Sequence, residues 1–356
     1  MINKEELYLK PFYKGHISYF ETALILNEEG EVPLLFPIKK IIGVYSFGQN
    51  VEYEEGKDFV VTNEGALKRT KGSRMPFMAF EEYYLEKQEG EIVVAVDNSK
   101  VNDERKKNKF FAFGEGSTFT SKQICVTYEH EEMWEWNKPI YQGKKIKNFF
   151  KKLELGQKPT IVFFGDSITV GCNASGTEYG GNIAPFLKPW PILVTNEIEK
   201  KFNSKINYIN TAVGGKDSSW GLDVINEAVI EYKPDLVVIA FGMNDGSLTK
   251  SEFKIKILKM INEISRNNSK TEFILISTTI PNPNSLWYHK EQTEFIDALN
   301  EIKMPNVAIV DMTNTHINLL KRKDFKDMTG NNVNHPNDYL IRIYAQMILG
   351  TIFSDR

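Results

Sequence analysis

The pattern of hydrophobic and polar positions changes character near residue 150. In the first 145 residues, apolar side chains come in short clusters separated by turn-forming residues, and no long helical period is present. Six clusters have the length and the β-branched or aromatic content of strands: residues 34–38, 41–47, 59–62, 92–96, 110–113 and 124–128. This pattern predicts an N-terminal antiparallel β-sandwich, jelly-roll-like in type.

From residue 159 onward, strand-like and helix-like patterns alternate. Nearly continuous apolar runs cover residues 160–164, 205–209, 235–241, 272–279 and 306–311. Helical periodicity covers residues 191–202, 220–232, 250–267 and 291–302, and a last helix is predicted from Pro336 to about residue 353. Apolar strands that alternate with helices are typical of an α/β fold, in which helices cover both faces of a parallel sheet.

The segment 137–158 separates these two patterns. It contains Pro139, Gly143 and a lysine-rich stretch, and its apolar residues at 146, 149, 150 and 153 have the spacing of an amphipathic helix. We interpret this helix as a docking element and its lysines as a solvated face. The predicted organisation is therefore a β-sandwich accessory domain over 1–145, a linker with a docking helix over 146–158, and an α/β domain over 159–356.

Composition and charge exclude several classes of function. The 356 residues include 44 basic and 47 acidic side chains, for a net charge of -3, and this balance lacks the basic excess that nucleic-acid binding needs. Two cysteines cannot build a disulfide framework or a structural zinc site. The longest apolar run, 236–243, is far shorter than the ~20 residues that span a bilayer. With no signal-peptide pattern at the start, we expect no membrane partner and a cytoplasmic location, although a chain whose leader had been removed would look the same.

Polar, glycine-containing blocks follow several of the predicted parallel strands. Because ligands of open α/β sheets bind at the carboxyl ends of the strands, these blocks are the first candidates for a functional site. Three blocks follow strands and a fourth precedes the last helix: residues 165–169, 210–218, 242–245 and 332–338. Each block alone is an ordinary turn sequence, but all four in this order indicate one shared site.

The four blocks resemble those of the SGNH hydrolases, also called GDSL-type esterases and lipases. The resemblance covers about residues 159–353 and implies a flavodoxin-like three-layer α/β/α fold with serine-dependent ester hydrolysis. It assigns the nucleophile to Ser167, the oxyanion hole to Gly215 and Asn244, and the general base to His335. The order of the two domains is also similar to that of the family 2 carbohydrate esterases, which are acetyl esterases.

The residue types fit this chemistry. A serine hydroxyl is a weak nucleophile until a neighbouring base removes its proton, which is the task of His335. The tetrahedral intermediate needs donors, and the backbone N–H groups of Ser167 and Gly215 and the Asn244 amide can supply them. Such a mechanism needs no metal and no organic cofactor. The alternatives are structural: a helix N-cap for Ser167 and turn roles for Gly215 and Asn244.

The sequence departs from the family pattern at Asn332. SGNH hydrolases usually carry an aspartate there, three residues before the histidine, and its carboxylate orients the imidazole. Three interpretations follow: a Ser–His dyad in which a backbone carbonyl or the Asn332 oxygen orients His335, another acid (Asp311, Asp327 or Asp338) in that role, or a site that only binds. We favour the first two, because the other blocks keep their hydrolytic residues.

The leading hypothesis is an esterase that removes acetyl or other short acyl groups from a carbohydrate, with a small-molecule or oligosaccharide ester as substrate. One alternative is a lipase, lysophospholipase or thioesterase. Another is a catalytically degenerate protein that binds glycans. Trp220, Trp287 and His289 are candidates for substrate binding near the predicted rim, and core packing is the competing explanation for the aromatic side chains.

Overall fold

The computed structural model describes residues 4–87 and 94–356. Its first half consists of antiparallel sheets, as the sequence predicts. The strands pair in the orders β1-β9-β3-β4, β2-β6-β5 and β7-β8. The elements of this half are α1 (Lys4–Tyr8), β1 (Ile17–Leu24), β2 (Glu31–Val32), β3 (Lys40–Ser46), β4 (Glu52–Tyr53), β5 (Phe59–Val61), β6 (Leu67–Arg69), α2 (Phe80–Tyr83), β7 (Tyr84–Leu85), β8 (Phe110–Phe111) and β9 (Gln123–Glu129).

The first half departs from the predicted pattern at two places, and the buried Glu21 contributes to both. Residues 34–38 lie in the core but form no strand, because side chains satisfy their backbone: the Leu35 N–H donates to Glu21 at 2.6 Å and the Phe36 N–H to Tyr128 Oη at 3.1 Å. The apolar pattern does not predict strand β1, because Glu21 interrupts it. The predicted strand 92–96 lies partly outside the described residues, since 92 and 93 are not described.

The second half is a parallel sheet between two layers of helices. Its elements are α3 (Lys147–Glu154), β10 (Thr160–Gly165), α4 (Ser167–Val170), α5 (Trp190–Phe202), β11 (Asn207–Asn210), α6 (Ser218–Asp223), α7 (Ile225–Ala228), β12 (Leu236–Ala240), α8 (Lys250–Asn267), β13 (Glu272–Ile276), α9 (Phe295–Asn300), β14 (Val307–Val310), α10 (Met312–Leu319) and α11 (Asp338–Ile352). The strand order β11-β10-β12-β13-β14 is the flavodoxin-like order, which confirms the predicted fold class. The predicted helix over 220–232 is broken into α6, α7 and the 3-10 turn Ile230–Tyr232.

Alternation along the central strand divides the sheet between two cores. Val162 and Phe164 of β10 pack with α7, α8 and α9 on one face. Ile161 and Phe163 face α5 and α11 on the other, and that second core continues into the antiparallel sheets of the first half. The predicted docking helix is α3, whose first N–H groups donate to the Glu272 carboxylate. The domain boundaries at residues 145 and 158 stay a prediction. In the structure, side chains of both halves pack into one shared core.

A buried ion pair joins the two halves. Lys323 Nζ lies 2.6 Å from Glu21 Oε1, and both side chains are completely buried. Lys323 also donates to the Thr22 carbonyl at 3.0 Å, and the Tyr128 hydroxyl donates to the other Glu21 oxygen at 2.8 Å. Neither charge reaches water, so each depends on the other.

Substituting one partner of this pair should therefore destabilise the protein strongly. We expect Lys323→Met to lower the free energy of unfolding by about 3–5 kcal/mol, because it leaves the Glu21 carboxylate buried without a cation. Urea denaturation measures the change, with the exposed Lys158→Met as the control. Adding Glu21→Gln to Lys323→Met should recover part of the loss. Equal stability of Lys323→Met and Lys158→Met would contradict the prediction.

Candidate active site

Ser167 lies in a tight turn between β10 and α4. A side chain at Gly165 would bring a Cβ within 2.4 Å of the Ala240 carbonyl oxygen on β12, so only glycine allows this close approach. The Asp166 carboxylate accepts the Ile168 N–H at 3.0 Å and so caps α4. The N-cap is therefore Asp166, and the Ser167 side chain is turned to another partner.

That partner is His335, on the loop that leads into α11. Its Nε2 lies 2.9 Å from the Ser167 hydroxyl oxygen. The Asn331 side-chain oxygen shapes the loop, since it accepts the backbone N–H groups of Val333, Asn334 and His335 at 3.0, 3.1 and 3.0 Å. The structure thus places a base within hydrogen-bond distance of a serine hydroxyl, which is the geometry that nucleophilic catalysis requires.

The opposite nitrogen of His335 faces two residues that the sequence did not single out. Its Nδ1 lies 2.8 Å from Asn173 Oδ1 and 3.4 Å from the Glu115 carboxylate. The Asn173 Nδ2 donates to the Gly116 carbonyl at 3.5 Å, so the amide oxygen is the atom that faces the ring. Nδ1 therefore carries the hydrogen, and Nε2 is the lone-pair nitrogen that accepts from Ser167.

Glu115 comes from the first half of the chain, in the turn after β8. Burial raises the pKa of its carboxyl, but the hydrogen bond and charge of His335, with hydrogen bonds from Asn331 and Asn173, outweigh this and lower the pKa below its usual value. The group is therefore ionised at neutral pH. Because 220 residues separate Glu115 from His335, no local pattern in the sequence links them.

The expectation that Asn332 orients the imidazole is wrong. The side chain of Asn332 is buried, and it hydrogen-bonds to the first half of the chain instead. Its Oδ1 accepts from the Tyr83 hydroxyl at 2.8 Å, and its Nδ2 donates to the Ala112 carbonyl at 3.0 Å. Asn332 thus ties the histidine loop to the strand β8 region.

The three aspartates proposed as replacements have structural partners of their own. Asp311 caps α10 by accepting the Asn314 N–H at 2.9 Å. Asp327 accepts the Leu24 N–H at 2.7 Å, and Asp338 accepts the N–H and hydroxyl of Ser175 at 2.9 and 2.6 Å. The carboxylate beside His335 is that of Glu115.

The expected oxyanion residues lie beside Ser167. Gly215 has a φ of 73°, a left-handed conformation that favours glycine, and a Cβ on the preceding Gly214 would lie 3.8 Å from that of Ser167. The Asn244 Nδ2 donates to the Lys216 carbonyl at 2.9 Å, which holds this amide against the same turn and leaves its second hydrogen. Both residues line one cavity with Ser167 and His335. Their role as oxyanion donors stays a prediction.

This cavity has a volume of about 590 Å³ and is formed by both halves of the chain. Of the three substrate-binding candidates, only Trp287 lines it. Trp220 instead packs against Phe164 and Phe241 in the core, and the ring of His289 covers Gly246. The structure adds Tyr179 to the cavity wall, and its side chain is 60% exposed.

Within residues 4–87 and 94–356, no group of histidine, cysteine, aspartate or glutamate side chains has the arrangement of a metal site. Over the same ranges, no helix combines the length and apolar character that crossing a bilayer requires.

The chain is similar to known proteins over part of its length. Residues 163–339 match the profile of the GDSL-like lipase/acylhydrolase family. No curated protein matches the chain. Among solved structures, it is similar to a two-domain esterase active on acetylated mannans, with 21% identity, a TM-score of 0.48, and coverage of 60% of this chain and 53% of that one. The chain therefore spans about half the length of that esterase.

Two further structures resemble the chain over a similar extent. One is a variant of an acetylxylan esterase from Geobacillus stearothermophilus, with 19% identity, a TM-score of 0.45, and coverage of 56% of this chain and 96% of that one. The other is an alpha/beta hydrolase from the metagenome of Lake Arreo, Spain, with 16% identity, a TM-score of 0.45, and coverage of 56% and 99%.

Proposed function

We propose that the protein, whose residues 163–339 match the profile of the GDSL-like lipase/acylhydrolase family, is a serine esterase that removes acetyl or other short acyl groups from a carbohydrate. One observation carries the proposal: Ser167 Oγ and His335 Nε2 are 2.9 Å apart, and the hydrogen on Nδ1 is held by Asn173 at 2.8 Å. This arrangement presents the unprotonated nitrogen to the serine, as a general base requires.

The reaction proceeds in two halves. The Ser167 oxygen attacks the acyl carbonyl carbon while His335 takes the hydroxyl proton, and the negative charge that forms on the carbonyl oxygen is bound by the N–H groups of Ser167 and Gly215 and by the Asn244 amide. The imidazolium then protonates the leaving sugar oxygen, and the C–O bond breaks. His335 next removes a proton from water, whose oxygen bonds to the acyl carbon of the acyl-serine. The bond between that carbon and Ser167 Oγ then breaks, the imidazolium returns the proton to Oγ, and the carboxylic acid and the free serine are released.

The cavity wall favours a sugar as the leaving group. Trp287 and Tyr179 line the cavity with side chains that are 44% and 60% exposed, so their rings offer flat apolar faces at its mouth. Aromatic faces of this kind pack well against the apolar face of a sugar ring.

A second candidate is a lipase, lysophospholipase or thioesterase. It is favoured by the apolar side chains that line the same cavity, namely Phe113, Val170, Val213 and Val333. These side chains can also hold an acyl chain longer than acetyl. The length of the preferred acyl group therefore separates the two candidates.

A series of p-nitrophenyl esters from acetyl to octanoyl tests the proposal. We expect the highest kcat/KM for the acetyl ester, and we expect acetate release from an acetylated oligosaccharide. A preference for octanoyl would favour the second candidate. A fluorophosphonate, which reacts with activated serines, should label Ser167 in the native protein and fail to label the heat-denatured protein. Absence of both hydrolysis and labelling, together with glycan binding, would support the degenerate binding protein instead.

A further inference from the structure

The first half of the chain contributes the ionised Glu115 carboxylate to the site. In the proposed reaction, this carboxylate lies next to an imidazole that becomes positively charged. We infer that Glu115 is a positioning residue that stabilises the charged imidazole of His335, and that Asn332 holds the backbone that carries it. Glu115 thereby replaces the aspartate that usually precedes the histidine in SGNH hydrolases. This inference rests on the proposed function.

Two different side chains divide the work at Nδ1. Asn173 accepts the Nδ1 hydrogen at 2.8 Å and so orients the ring, but a neutral amide does little to stabilise a positive charge. Both Glu115 oxygens lie 3.4 Å from Nδ1, close enough for strong attraction once the ring is protonated. Positive charge develops on the ring when it takes the Ser167 proton. The carboxylate is therefore most valuable in the transition state.

One residue holds both members of this pair in place. Asn331 Nδ2 donates to Glu115 Oε1 at 3.1 Å, while its Oδ1 accepts the backbone N–H of His335 at 3.0 Å. The carboxylate and the imidazole are thus fixed to the same side chain although they come from opposite halves of the chain. Glu115 is still 41% exposed, so water weakens its effect relative to a buried aspartate.

The other titratable side chains that line the cavity do not supply the negative charge that stabilises the protonated imidazole. Among the described residues that line the cavity, Glu115 is the only carboxylate, and the others that titrate besides His335 are Cys172 and Tyr179. Burial raises the pKa of the Cys172 thiol to about 12, so it is neutral at working pH. Behind Ser167, burial raises the pKa of Asp166 to about 7, against the lowering effect of its backbone hydrogen bonds.

The hydrogen bonds of Asn332 explain why this position holds an amide. Its Nδ2 donates to the Ala112 carbonyl at 3.0 Å, three residues before Glu115, and its Oδ1 accepts from Tyr83 at 2.8 Å. An aspartate at 332 would set a carboxylate oxygen against the Ala112 carbonyl, with no hydrogen to share. The family's usual acid would therefore disrupt the turn that delivers Glu115.

The pH dependence of p-nitrophenyl acetate hydrolysis tests the inference in four variants. Glu115→Gln removes the charge but keeps an oxygen for Asn331, and Glu115→Asp keeps the charge. Asn332→Asp in the Glu115→Gln background tests whether the usual position can substitute, and Glu64→Gln removes an exposed carboxylate elsewhere in the first half.

We expect Glu115→Gln to lower kcat about 10- to 100-fold, less than the ~10⁴-fold loss for a buried triad aspartate, because Asn173 still orients the ring. Without the negative charge, the protonated ring is less stable and loses its proton at lower pH, so the acidic limb of kcat/KM should move down by about one pH unit. Glu115→Asp should keep the position of the limb, Glu64→Gln should change nothing, and Asn332→Asp should not restore activity. Asp166 is the same in all variants, so its ionisation cannot produce the difference.

Three outcomes of the kinetic experiment would overturn the inference. An unchanged kcat and acidic limb in Glu115→Gln would remove Glu115 from the mechanism, while hydrolysis by the wild type would leave the proposed function standing. A lower kcat with an unmoved limb would show that Glu115 acts only on the structure. Restoration of activity by Asn332→Asp would contradict the role given to Asn332. A wild-type protein without esterase activity would instead refute the proposed function. In that case, an NMR titration of the His335 imidazole compares wild type and Glu115→Gln directly. The same titration midpoint in both proteins would refute the electrostatic role of Glu115.

Discussion

Replacing Ser167 by alanine should abolish ester hydrolysis, with kcat for p-nitrophenyl acetate reduced by about 10⁴- to 10⁶-fold. The expected loss is this large because the hydroxyl oxygen is the atom that forms the acyl intermediate, and it lies 2.9 Å from Nε2 of His335, the base that takes its proton. Residual activity would come from the oxyanion donors and from substrate binding, which the substitution leaves in place.

The matched control for this variant is Ser251→Ala. Ser251 is exposed near the start of α8, a position where alanine is tolerated, and it lies outside the residues that line the cavity. It should keep wild-type kcat and wild-type labelling by the fluorophosphonate. If Ser167→Ala kept activity near that of Ser251→Ala, the nucleophile would have to be another residue and the proposed mechanism would be refuted.

Replacing His335 by alanine should reduce kcat by about 10⁴-fold or more, because the imidazole both takes the Ser167 proton and returns it to the leaving oxygen. The Asn173 and Glu115 side chains would then face an empty space where the ring had been. The rate should lose the acidic limb of its pH profile, and fluorophosphonate labelling of Ser167 should slow in parallel with hydrolysis.

His289→Ala is the control that separates this effect from the general loss of a histidine. His289 is exposed and its ring lies over Gly246, away from the cavity lining. The variant should keep wild-type kcat and KM, which also tests the earlier expectation that His289 binds substrate. Comparable losses in His289→Ala and His335→Ala would mean that the 2.9 Å contact with Ser167 is not the reason for the effect.

The contacts of Glu115 and Asn332 bear on why the chain has a first half at all. The second half by itself presents Ser167, Gly215 and Asn244 after the carboxyl ends of its strands and His335 on the loop that leads into α11. The carboxylate beside the imidazole, however, comes from a turn after β8, and the completely buried Lys323–Glu21 pair locks the two halves together. We therefore regard the first half as a part of the catalytic unit rather than as an appended binding module.

The sequence was most informative where a local pattern is tied to a local structure. Short apolar runs such as the one in β12 are typical of strands buried on both faces, and their alternation with helices predicts a parallel sheet. The turn residues after those strands identified the serine, the glycine and the asparagine at one edge. Predictions failed where a polar side chain replaced a backbone partner, as Glu21 does for the loop that contains Leu35.

By itself, the sequence determined the fold class and the strand-end blocks, because each depends on periodicity or on turns within a few residues. The pairing of Ser167 with His335, which are 168 residues apart, was implied by the resemblance to the SGNH hydrolases and not by a local pattern. Only the tertiary structure decided which acid stands beside His335 and which aromatic side chains line the cavity. Glu115 and His335 are 220 residues apart in the chain, and their contact exists because the packing of two halves around one core brings their loops together. The same packing places the partly buried Trp220 against Phe164 and leaves Trp287 at the cavity, a difference that no property of the two tryptophans in the sequence predicts.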